Sequence, residues 1–432
     1  MSKVTYTATG DAFITRRIAE KGYEGYDEVV KLIKSHDVAF SNLEMTFHNK
    51  EGVPAAESGG TWALADPRCL DDIKKMGFNI FNTANNHSCD YSHGGLLATI
   101  KYLNEKDMPF CGTGANLGDA SKPCFFEASG QRVAMIGVCS SFKISAMAGG
   151  QTGDLPGRPG LNPLRHKTHY HLDKERFDQV VELAKVTRIN AGPERSVRTG
   201  YGNPPQEGTF VLGGISFILD DHCWIESVPN EQDMKRIEKE IREAKEVADI
   251  VLVSLHAHEC DADDTTVPAQ FIETFSRRCI DAGATAMIGH GPHEVRGVEL
   301  YHGGVIFYSL GNFIFETETV EYQPYDAYAN KGMPLDTKVG SYMLNRTKNR
   351  TCGYMTMKEI WEAVIASWTL EDKKLTEVKL YPISLGYGVP WPQMGLPKLS
   401  GDEDFLRRLA DLSKPYGTEM EIKDGVATIK LK

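Results

Sequence analysis

The sequence predicts a layered α/β fold, because apolar strands alternate with helices and polar side chains follow several of the strands. At 432 residues the chain is long enough to bury a large core, either as one α/β domain or as a core with insertions. The elements expected in the first part are a strand at 4–9, a helix at 26–35, a strand at 38–41, a helix at 69–76, a strand at 79–82, a helix at 94–105 and a strand at 132–138.

The same alternation resumes after residue 230. Residues 231–247 are predicted to form a helix, since Met234, Ile237 and Ile241 recur at helical spacing. The elements expected after it are a strand at 249–255, a helix at 268–282, strands at 286–289 and 305–310, and two antiparallel strands at 362–370 and 375–383.

Two long segments interrupt this pattern. Residues 145–230 are rich in Gly and Pro and contain one helix-like stretch at 173–187, which indicates an inserted lid or substrate-binding segment. Residues 318–358 are polar and form a second excursion. We therefore expect one domain over residues 1–385 that carries both insertions, and a C-terminal extension, residues 386–432, packed on the core.

Composition excludes several classes of protein. Lys and Arg number 48 against 59 for Asp and Glu, a net charge of −11, which argues against a nucleic-acid groove as the main surface. The nine cysteines are scattered without a CxxC pair, which favours reduced thiols over a disulfide scaffold. We expect no signal peptide and no membrane span, and therefore a cytoplasmic protein. The oligomeric state stays open.

Chemistry-bearing side chains come directly after the predicted strands, where α/β folds build metal sites. They are Asp11, Glu44, the run Asn85-Asn86-His87 with Asp90, the run His256-Ala257-His258-Glu259, and the pair His290 and His293. Taken singly, Asp11 could cap a turn, Glu44 could be a solvated loop acid, and the asparagines could form an Asx turn. Carboxylates, amide oxygens and imidazoles together are ligands for divalent cations, so the whole set predicts a metal site.

The inserted segment holds further polar side chains: His166, His169 and His171 with Arg158 and Arg165. A second metal site is one interpretation. A substrate-binding or solvent-exposed loop is favoured over it, and Arg158 and Arg165 are the candidate substrate contacts.

Short motifs in a fixed order resemble one known family. They are Gly10-Asp11, Asn42-Leu43-Glu44, Ala84-Asn85-Asn86-His87 with Asp90, Ser254-Leu255-His256 with Glu259, Gly289-His290 with Pro292-His293, and Tyr308-Ser309-Leu310-Gly311-Asn312-Phe313. In this order they resemble the bacterial capsule-synthesis CapA family, the poly-γ-glutamate capsule proteins related to calcineurin-like metallophosphoesterases. The resemblance covers most of residues 4–316, interrupted by the insertion.

The resemblance implies a four-layer α/β/β/α sandwich of the calcineurin-like metallophosphoesterase type, with one or two divalent ions (Mn, Zn, Fe, Mg or Ca) at the strand ends. The ligands that it implies are Asp11, Glu44, Asn86, His256, His290 and His293. His87 would be the acid outside the ligand shell, and Asn85 could replace Asn86 as a ligand. His258 and Glu259 are further candidate catalytic residues, and Asn85 and Asn312 are candidate substrate contacts.

The chain also departs from the related metallophosphoesterases. Their Asp-x-His opening reads Asp11-Ala12-Phe13 here, so one histidine ligand is absent, and Glu44 stands where the relatives have a bridging Asp. Gly291 occupies a position that is often His in the capsule family, and His258 one that is often Gly. These changes favour one tightly and one loosely bound ion over a symmetric pair.

Three functions are compatible with this sequence. The first is a soluble metal-dependent hydrolase of a peptide or small molecule, acting on an amide bond of the γ-glutamyl type or, slightly less favoured, on a phosphoester. The second is a metal-dependent peptide epimerase, in which spare histidines such as His258 remove a Cα proton. The third is a non-enzymatic protein of capsule assembly.

Overall fold

Two β-sheets packed face to face form the centre of the computed structural model, which describes residues 3–431. The strands of these residues, in chain order, are β1 (Lys3–Phe13), β2 (Val38–Leu43), β3 (Thr46–Phe47), β4 (Leu64–Ala65), β5 (Ile80–Asn82), β6 (Phe110–Cys111), β7 (Thr113–Gly114), β8 (Cys124–Ala128), β9 (Gln131–Cys139), β10 (Gly160–Leu161), β11 (His166–Leu172), β12 (Thr209–Leu212), β13 (Ile215–Leu219), β14 (Trp224–Pro229), β15 (Ile250–His256), β16 (Cys260–Asp261), β17 (Asp264–Pro268), β18 (Ala286–His290), β19 (Val295–Tyr301), β20 (Gly304–Leu310), β21 (Asn312–Phe315), β22 (Glu362–Glu371), β23 (Lys374–Ser384), β24 (Lys398–Leu399), β25 (Met420–Lys423) and β26 (Val426–Ile429).

The α-helices lie between these strands. In chain order they are α1 (Tyr26–Lys34), α2 (Cys69–Met76), α3 (Ser92–Glu105), α4 (Leu117–Ser121), α5 (Lys174–Thr187), α6 (Ala191–Arg198), α7 (Glu231–Val247), α8 (Gln270–Ala282), α9 (Tyr325–Ala329), α10 (Val339–Arg346) and α11 (Glu403–Ser413). Among the helices of residues 3–431, none combines the length and the apolarity needed to cross a membrane. All nine cysteines lie in this part of the chain and are free thiols.

The larger sheet has the order β25-β26-β23-β22-β1-β2-β5-β6, with β21 added to β1 and β24 added to β23. The smaller sheet has the order β19-β20-β18-β15-β9-β8. Pairing is parallel from β1 through β2 and β5 to β6, and again from β20 through β18 and β15 to β9. The central strands read as near-continuous apolar runs because both of their faces are covered.

Three apolar clusters define four layers. Between the sheets, Tyr6 and Trp368 of the larger sheet pack with Phe307 of the smaller one. Helices α1 and α2 cover the outer face of the larger sheet, and α7 and α8 cover the outer face of the smaller one. Each helix buries an apolar stripe, which includes Ile33 in α1 and Ile237 in α7, and leaves its opposite face in solvent. The expected α/β/β/α sandwich is therefore confirmed by the packing itself.

The carboxyl ends of the parallel strands meet at one edge of the sandwich. Strand β1 reaches this edge through a close approach to the turn before β21, where the Asp11 amide donates a hydrogen bond to the Gly311 carbonyl at 3.1 Å. A Cβ on Gly10 would lie 1.7 Å from the same carbonyl oxygen, so only glycine fits there. This contact fixes the position of the Asp11 side chain.

The segments outside the predicted core pattern are also folded. The inserted segment contains a four-stranded sheet, β12-β13-β11-β14, with α5 and α6 beside it. The second excursion contributes Tyr328, Tyr342 and Met343 to the apolar layer outside the larger sheet. The C-terminal segment supplies α11, which contacts β19, and the hairpin β25–β26, which extends the larger sheet. Residues 1, 2 and 432, at the outer limits of the two expected domain ranges, lie outside the described residues.

Candidate metal centre

The strand ends bring one carboxylate and two imidazoles together in a fully buried group. Asp11 lies in β1, and His256 and His290 are the last residues of the neighbouring parallel strands β15 and β18. The Asp11 Oδ1 atom is 3.3 Å from His290 Nδ1 and 3.5 Å from His256 Nδ1. The two Nδ1 atoms are 3.0 Å apart.

A second group shares His256 through its other ring nitrogen. His256 Nε2 is 3.1 Å from His258 Nε2 and 3.7 Å from Glu44 Oε1. A third group adds His293 to Asp11 and Glu44, and in each of the three groups the candidate ligand atoms lie within 4.8 Å of one another. Because the groups overlap, they form one continuous cluster, which we call the metal cluster: Asp11, Glu44, His256, His258, His290 and His293.

The polar atoms of the metal cluster are suited to a cation. Among residues 3–431, neither carboxylate oxygen of the buried Glu44 has a hydrogen-bond partner, and the same is true of the buried Asn86 Oδ1. An unpaired buried carboxylate costs several kcal/mol relative to water, so it needs a compensating positive charge. Inward-facing imidazole nitrogens and carboxylate oxygens are the atoms that a divalent ion binds.

The protonation states also suit metal binding. Burial alone would raise the pKa of Asp11, but hydrogen bonds from His256 and His290 hold that pKa well below its usual range. Burial lowers the pKa of His256, and it lowers that of His293 to about 4. Burial, together with the neighbouring His256 and His293, lowers the pKa of His258 well below 6.5. Neutral imidazoles and an ionised aspartate are the forms that coordinate a metal.

Hydrogen bonds from surrounding residues orient the cluster. The Asn42 side chain donates to Asp11 Oδ1 at 2.7 Å, and the Gly291 amide donates to Asp11 Oδ2 at 2.9 Å. The outer nitrogen of His290 is 2.7 Å from the Ser254 hydroxyl. His293 has a left-handed backbone with φ of 63°, a strained conformation of the kind that clusters at functional sites. A hydrogen bond to the outer nitrogen, such as that between His290 and Ser254, fixes both the ring orientation and the tautomer of a metal-binding histidine.

A hydrogen-bonded histidine–aspartate pair lies beside Glu44. His87 Nδ1 is 2.6 Å from Asp90 Oδ2, and His87 Nε2 is 3.9 Å from Glu44 Oε1. The Asp90 carboxylate also accepts hydrogen bonds from the backbone amides of Gly59 and Ala63, at 3.2 and 2.8 Å. An aspartate held in this way assigns the proton to Nδ1 and leaves Nε2 facing the cluster.

The asparagines predicted as ligands or substrate contacts have separate places. Asn85 donates to the Leu43 carbonyl at 2.8 Å and accepts from the His87 amide at 3.1 Å, so it supports the backbone on both sides of the cluster. Asn86 lines a polar cleft beside the cluster, and its side-chain oxygen is buried and has no hydrogen-bond partner among the described residues. Asn312 is fully buried; its oxygen is 2.9 Å from His293 Nδ1 and its nitrogen donates to the Ile360 carbonyl, which makes it a support for His293.

The two arginines predicted as substrate contacts are not brought to the metal cluster in the described structure. The Arg165 guanidinium is paired with Asp233 at 2.7 Å, near the start of α7. Arg158 is exposed and donates to the Met147 carbonyl at 2.9 Å. The Arg165 pair ties the inserted segment to α7, whereas the Arg158 bond lies within the inserted segment.

A polar cleft of about 380 Å³ lies beside the metal cluster and is lined by His258, Glu259, Asn86, His166, Ser140 and Ser141, among others. Glu259 accepts hydrogen bonds from the hydroxyls of Ser140 and Ser141 at 2.7 and 2.9 Å. These serines were missed by the sequence reasoning, although they follow the predicted strand 132–138 and the strand-end rule could have found them. Ser254 lies inside a strand, where that rule does not apply, and it was noted only as part of the motif Ser254-Leu255-His256.

Replacing Glu44 by glutamine is expected to stabilise the metal-free protein by roughly 1–3 kcal/mol at neutral pH. Burial, followed by the charges of Asp11 and Asp90, raises the Glu44 pKa well above 4.5. The stability that goes with this raised pKa is fully present below pH 4.5 and is lost as the pH rises through the folded-state value. Urea unfolding in a chelator should therefore show wild type losing stability relative to Glu44→Gln as the pH increases.

Added Mn²⁺ should reverse that order, because the variant lacks one anionic ligand. Equal metal-dependent stabilisation of both proteins would contradict the place given to Glu44.

The fold and the cluster define an α/β/β/α protein with a buried carboxylate–imidazole centre at the strand ends. Residues 5–317 match the family described as bacterial capsule synthesis protein PGA_cap. The chain belongs to this family.

Relatives extend the match along the chain. Protein y4sH of Sinorhizobium fredii is 32% identical over 440 residues, covering 99% of this chain and 93% of that protein. Capsule biosynthesis protein CapA of Bacillus anthracis is 26% identical over 321 residues, covering 73% of this chain and 60% of CapA. Among solved structures, GAP50, the anchor in the inner membrane complex of Plasmodium, has a TM-score of 0.31 at 9% identity, with 96% of each chain covered.

Proposed function

We propose that this protein is a metal-dependent hydrolase that acts on an amide bond. The observation that carries the proposal is the metal cluster, in which a buried and unpaired Glu44 faces His256 and shares one enclosed space with Asp11 and three further imidazoles. One or two bound divalent ions would lower the pKa of a water molecule and polarise the group under attack.

The residues that would hold the ions are the six of the metal cluster together with Asn86. We assign His258 the role of a metal ligand and no longer that of a catalytic base. Its Nε2 points at the same space as His256 Nε2. A set with four imidazoles favours Mn, Fe or Zn over Mg or Ca, which bind mainly oxygen.

His87 is proposed as the group that moves the proton. With Nδ1–H donated to Asp90, its Nε2 is directed at the cluster, where it can accept the proton lost by the attacking water and pass that proton to the departing amine. Asp90 would stabilise the imidazolium that forms when His87 is protonated.

An amide substrate is favoured over a phosphoester by the charges of the cleft. Phosphoryl transfer usually needs Arg or Lys clamps, and Arg158 and Arg165 are engaged elsewhere. Lys143 lines the cleft, but its Nζ lies 3.0 Å from Glu57. The similarity to the capsule biosynthesis protein CapA of Bacillus anthracis supports a role connected with capsule biosynthesis.

The test is a reaction in D₂O with purified, Mn²⁺-loaded protein, offering γ-glutamyl peptides, α-linked peptides and p-nitrophenyl phosphate separately. Amide cleavage that stops in a chelator is expected. Deuterium at Cα without cleavage would replace hydrolysis by epimerisation, and phosphate release alone would replace the amide by a phosphoester. Metal-loaded protein that turns over none of these substrates would favour capsule assembly without catalysis and overturn the proposal.

Replacing His87 by asparagine should lower kcat by roughly 10²–10⁴-fold, because a positioned proton donor contributes about that much. Metal content should stay unchanged, since Asp11 and His256 are intact. The measurements are steady-state kinetics and elemental analysis of the same preparation. His93→Asn is the matched control, because His93 is only half-buried and its ring contacts the Ser145 carbonyl instead. Unchanged kcat in the His87 variant would contradict the role of His87.

A further inference from the structure

One face of the inserted sheet looks toward the core. Strands β11 and β14 pair antiparallel, so side chains on one face alternate along each strand. The cross-strand pairs on this face are His166 with Pro229, Thr168 with Ser227, and Tyr170 with Ile225. His169 and His171 belong to the alternate set on β11, which divides the three histidines of this segment between two faces.

A groove of about 300 Å³ separates this face from the core. Its second wall consists of residues 259–262, after β15, and 269–271, at the start of α8. His166 and Glu259 also line the polar cleft beside the metal cluster, so the groove and the cleft meet at these two residues. The groove therefore continues from the place where the reacting bond would lie.

The two walls are tied to each other. The Gln270 side chain accepts from the Ser227 amide at 3.2 Å and donates to the Ile225 carbonyl at 3.3 Å. The Phe271 amide donates to the Ser227 hydroxyl at 3.1 Å. A groove held open in this way loses little conformational entropy when a ligand binds.

His166 forms the junction between groove and cleft. Its ring stacks on Phe271 with centroids 4.3 Å apart, and its Nε2 is 3.3 Å from Glu259 Oε1. Its Nδ1 is buried and has no hydrogen-bond partner within residues 3–431. The contact with Glu259 and the stacking on Phe271 therefore fix the ring at this junction.

The lining of the groove combines apolar surface with carboxylates. Tyr170, Ile225 and Phe271 supply apolar surface, and Ile225 is 45% exposed. Glu259 and Asp261 supply carboxylates, while Lys143 at the cleft is paired with Glu57. Like charges that face each other repel, so this lining disfavours a polyanion and suits a neutral or basic chain.

We propose that this groove binds an extended peptide segment that flanks the reacting bond. An apolar or aromatic side chain of that segment packs against Tyr170 and Ile225, and the backbone passes His166 toward the metal cluster. The inference rests on the proposed function. It narrows the substrate of the proposed hydrolase to neutral or basic peptides and excludes polyglutamate-like chains.

Binding of fluorescein-labelled peptides to the full-length protein tests this without turnover, by anisotropy with Mn²⁺ and with chelator. The probes are a short Ala/Gly peptide with one Phe and two Lys, the same peptide with Ser for Phe, the same peptide with Glu for Lys, and a γ-linked glutamate oligomer. The Phe/Lys peptide is expected to bind roughly ten-fold more tightly than each of the others.

The matched pair of variants is Ile225→Ser and Ile215→Ser. Ile215 lies in β13 of the same sheet, is 49% exposed and does not line the described groove. Ile225→Ser should remove the preference for Phe over Ser, and Ile215→Ser should keep it. Tightest binding of the γ-glutamate oligomer, equal binding of all probes, or the same effect from both variants would overturn the groove assignment. Selective binding without turnover would contradict the hydrolase proposal alone.

Discussion

Replacing His256 by alanine is expected to remove bound metal and activity together. His256 contributes Nδ1 to the group with Asp11 and His290, and Nε2 to the group with Glu44 and His258, so its loss affects both. We expect kcat/KM to fall by roughly three orders of magnitude, which corresponds to about 4 kcal/mol of transition-state stabilisation. Elemental analysis and kinetics on one preparation measure the two losses.

The control for this variant is His302→Ala. His302 is exposed and pairs with Asp281 at 2.8 Å. It lies in the turn between β19 and β20, at the opposite end of β20 from its carboxyl end. It should keep wild-type metal content and rate. An Asp11→Ala variant should repeat the result for His256, and full metal occupancy in both variants would show that the ligands are assigned wrongly.

Replacing Gly10 by alanine is expected to give the largest loss of stability of any single methyl group added near the site. The new Cβ would lie 1.7 Å from the Gly311 carbonyl oxygen, so strands β1 and β21 would have to separate. We expect the free energy of unfolding to fall by about 3 kcal/mol or more, with weaker metal binding because Asp11 is the next residue. Urea unfolding followed by circular dichroism measures the change.

Gly340→Ala is the matched control for that substitution. Gly340 lies in helix α10, and a Cβ there would meet nothing within 4 Å. Alanine should be neutral or stabilise the protein by up to about 1 kcal/mol, since it favours a helix more than glycine does. A Gly10 variant as stable as the control would contradict the close approach of β1 to Gly311.

The parts of the site that could be predicted from sequence follow one rule. Asp11, Glu44 and His256 each come at or directly after an apolar strand, and parallel strands place their carboxyl ends at one edge. The alternation of strands and helices predicts the layered α/β architecture, and the strand order and register observed in the structure bring these residues together. Strand β15 was expected at 249–255 and is found at Ile250–His256.

The parts that could not be predicted depend on partners distant in the chain. Arg165 was expected to contact substrate. In the structure it forms an ion pair with Asp233, which is 68 residues away in the chain, so no local sequence pattern predicts the pair. The same holds for Asn312, whose carbonyl partner, Ile360, is 48 residues away.

The inserted sheet was missed for a different reason. Strand β11 carries His, Lys, Thr, His, Tyr and His at successive positions, so it lacks the apolar alternation that marks a half-buried strand. Helix α5, in contrast, was predicted from the sequence, because its fourteen residues are enough to show a helical pattern. The groove between this sheet and the core could be recognised only after the register of β11 against β14 was known.

Anomalous scattering from crystals of the purified, Mn²⁺-loaded protein, recorded at the metal's absorption edge, tests most directly whether remote strand ends meet around a cation. A peak is expected about 2.0–2.3 Å from a nitrogen of His256, with Asp11 or Glu44 in the same coordination shell. A difference map without any peak among these side chains, in protein that elemental analysis shows to contain the metal, would contradict it.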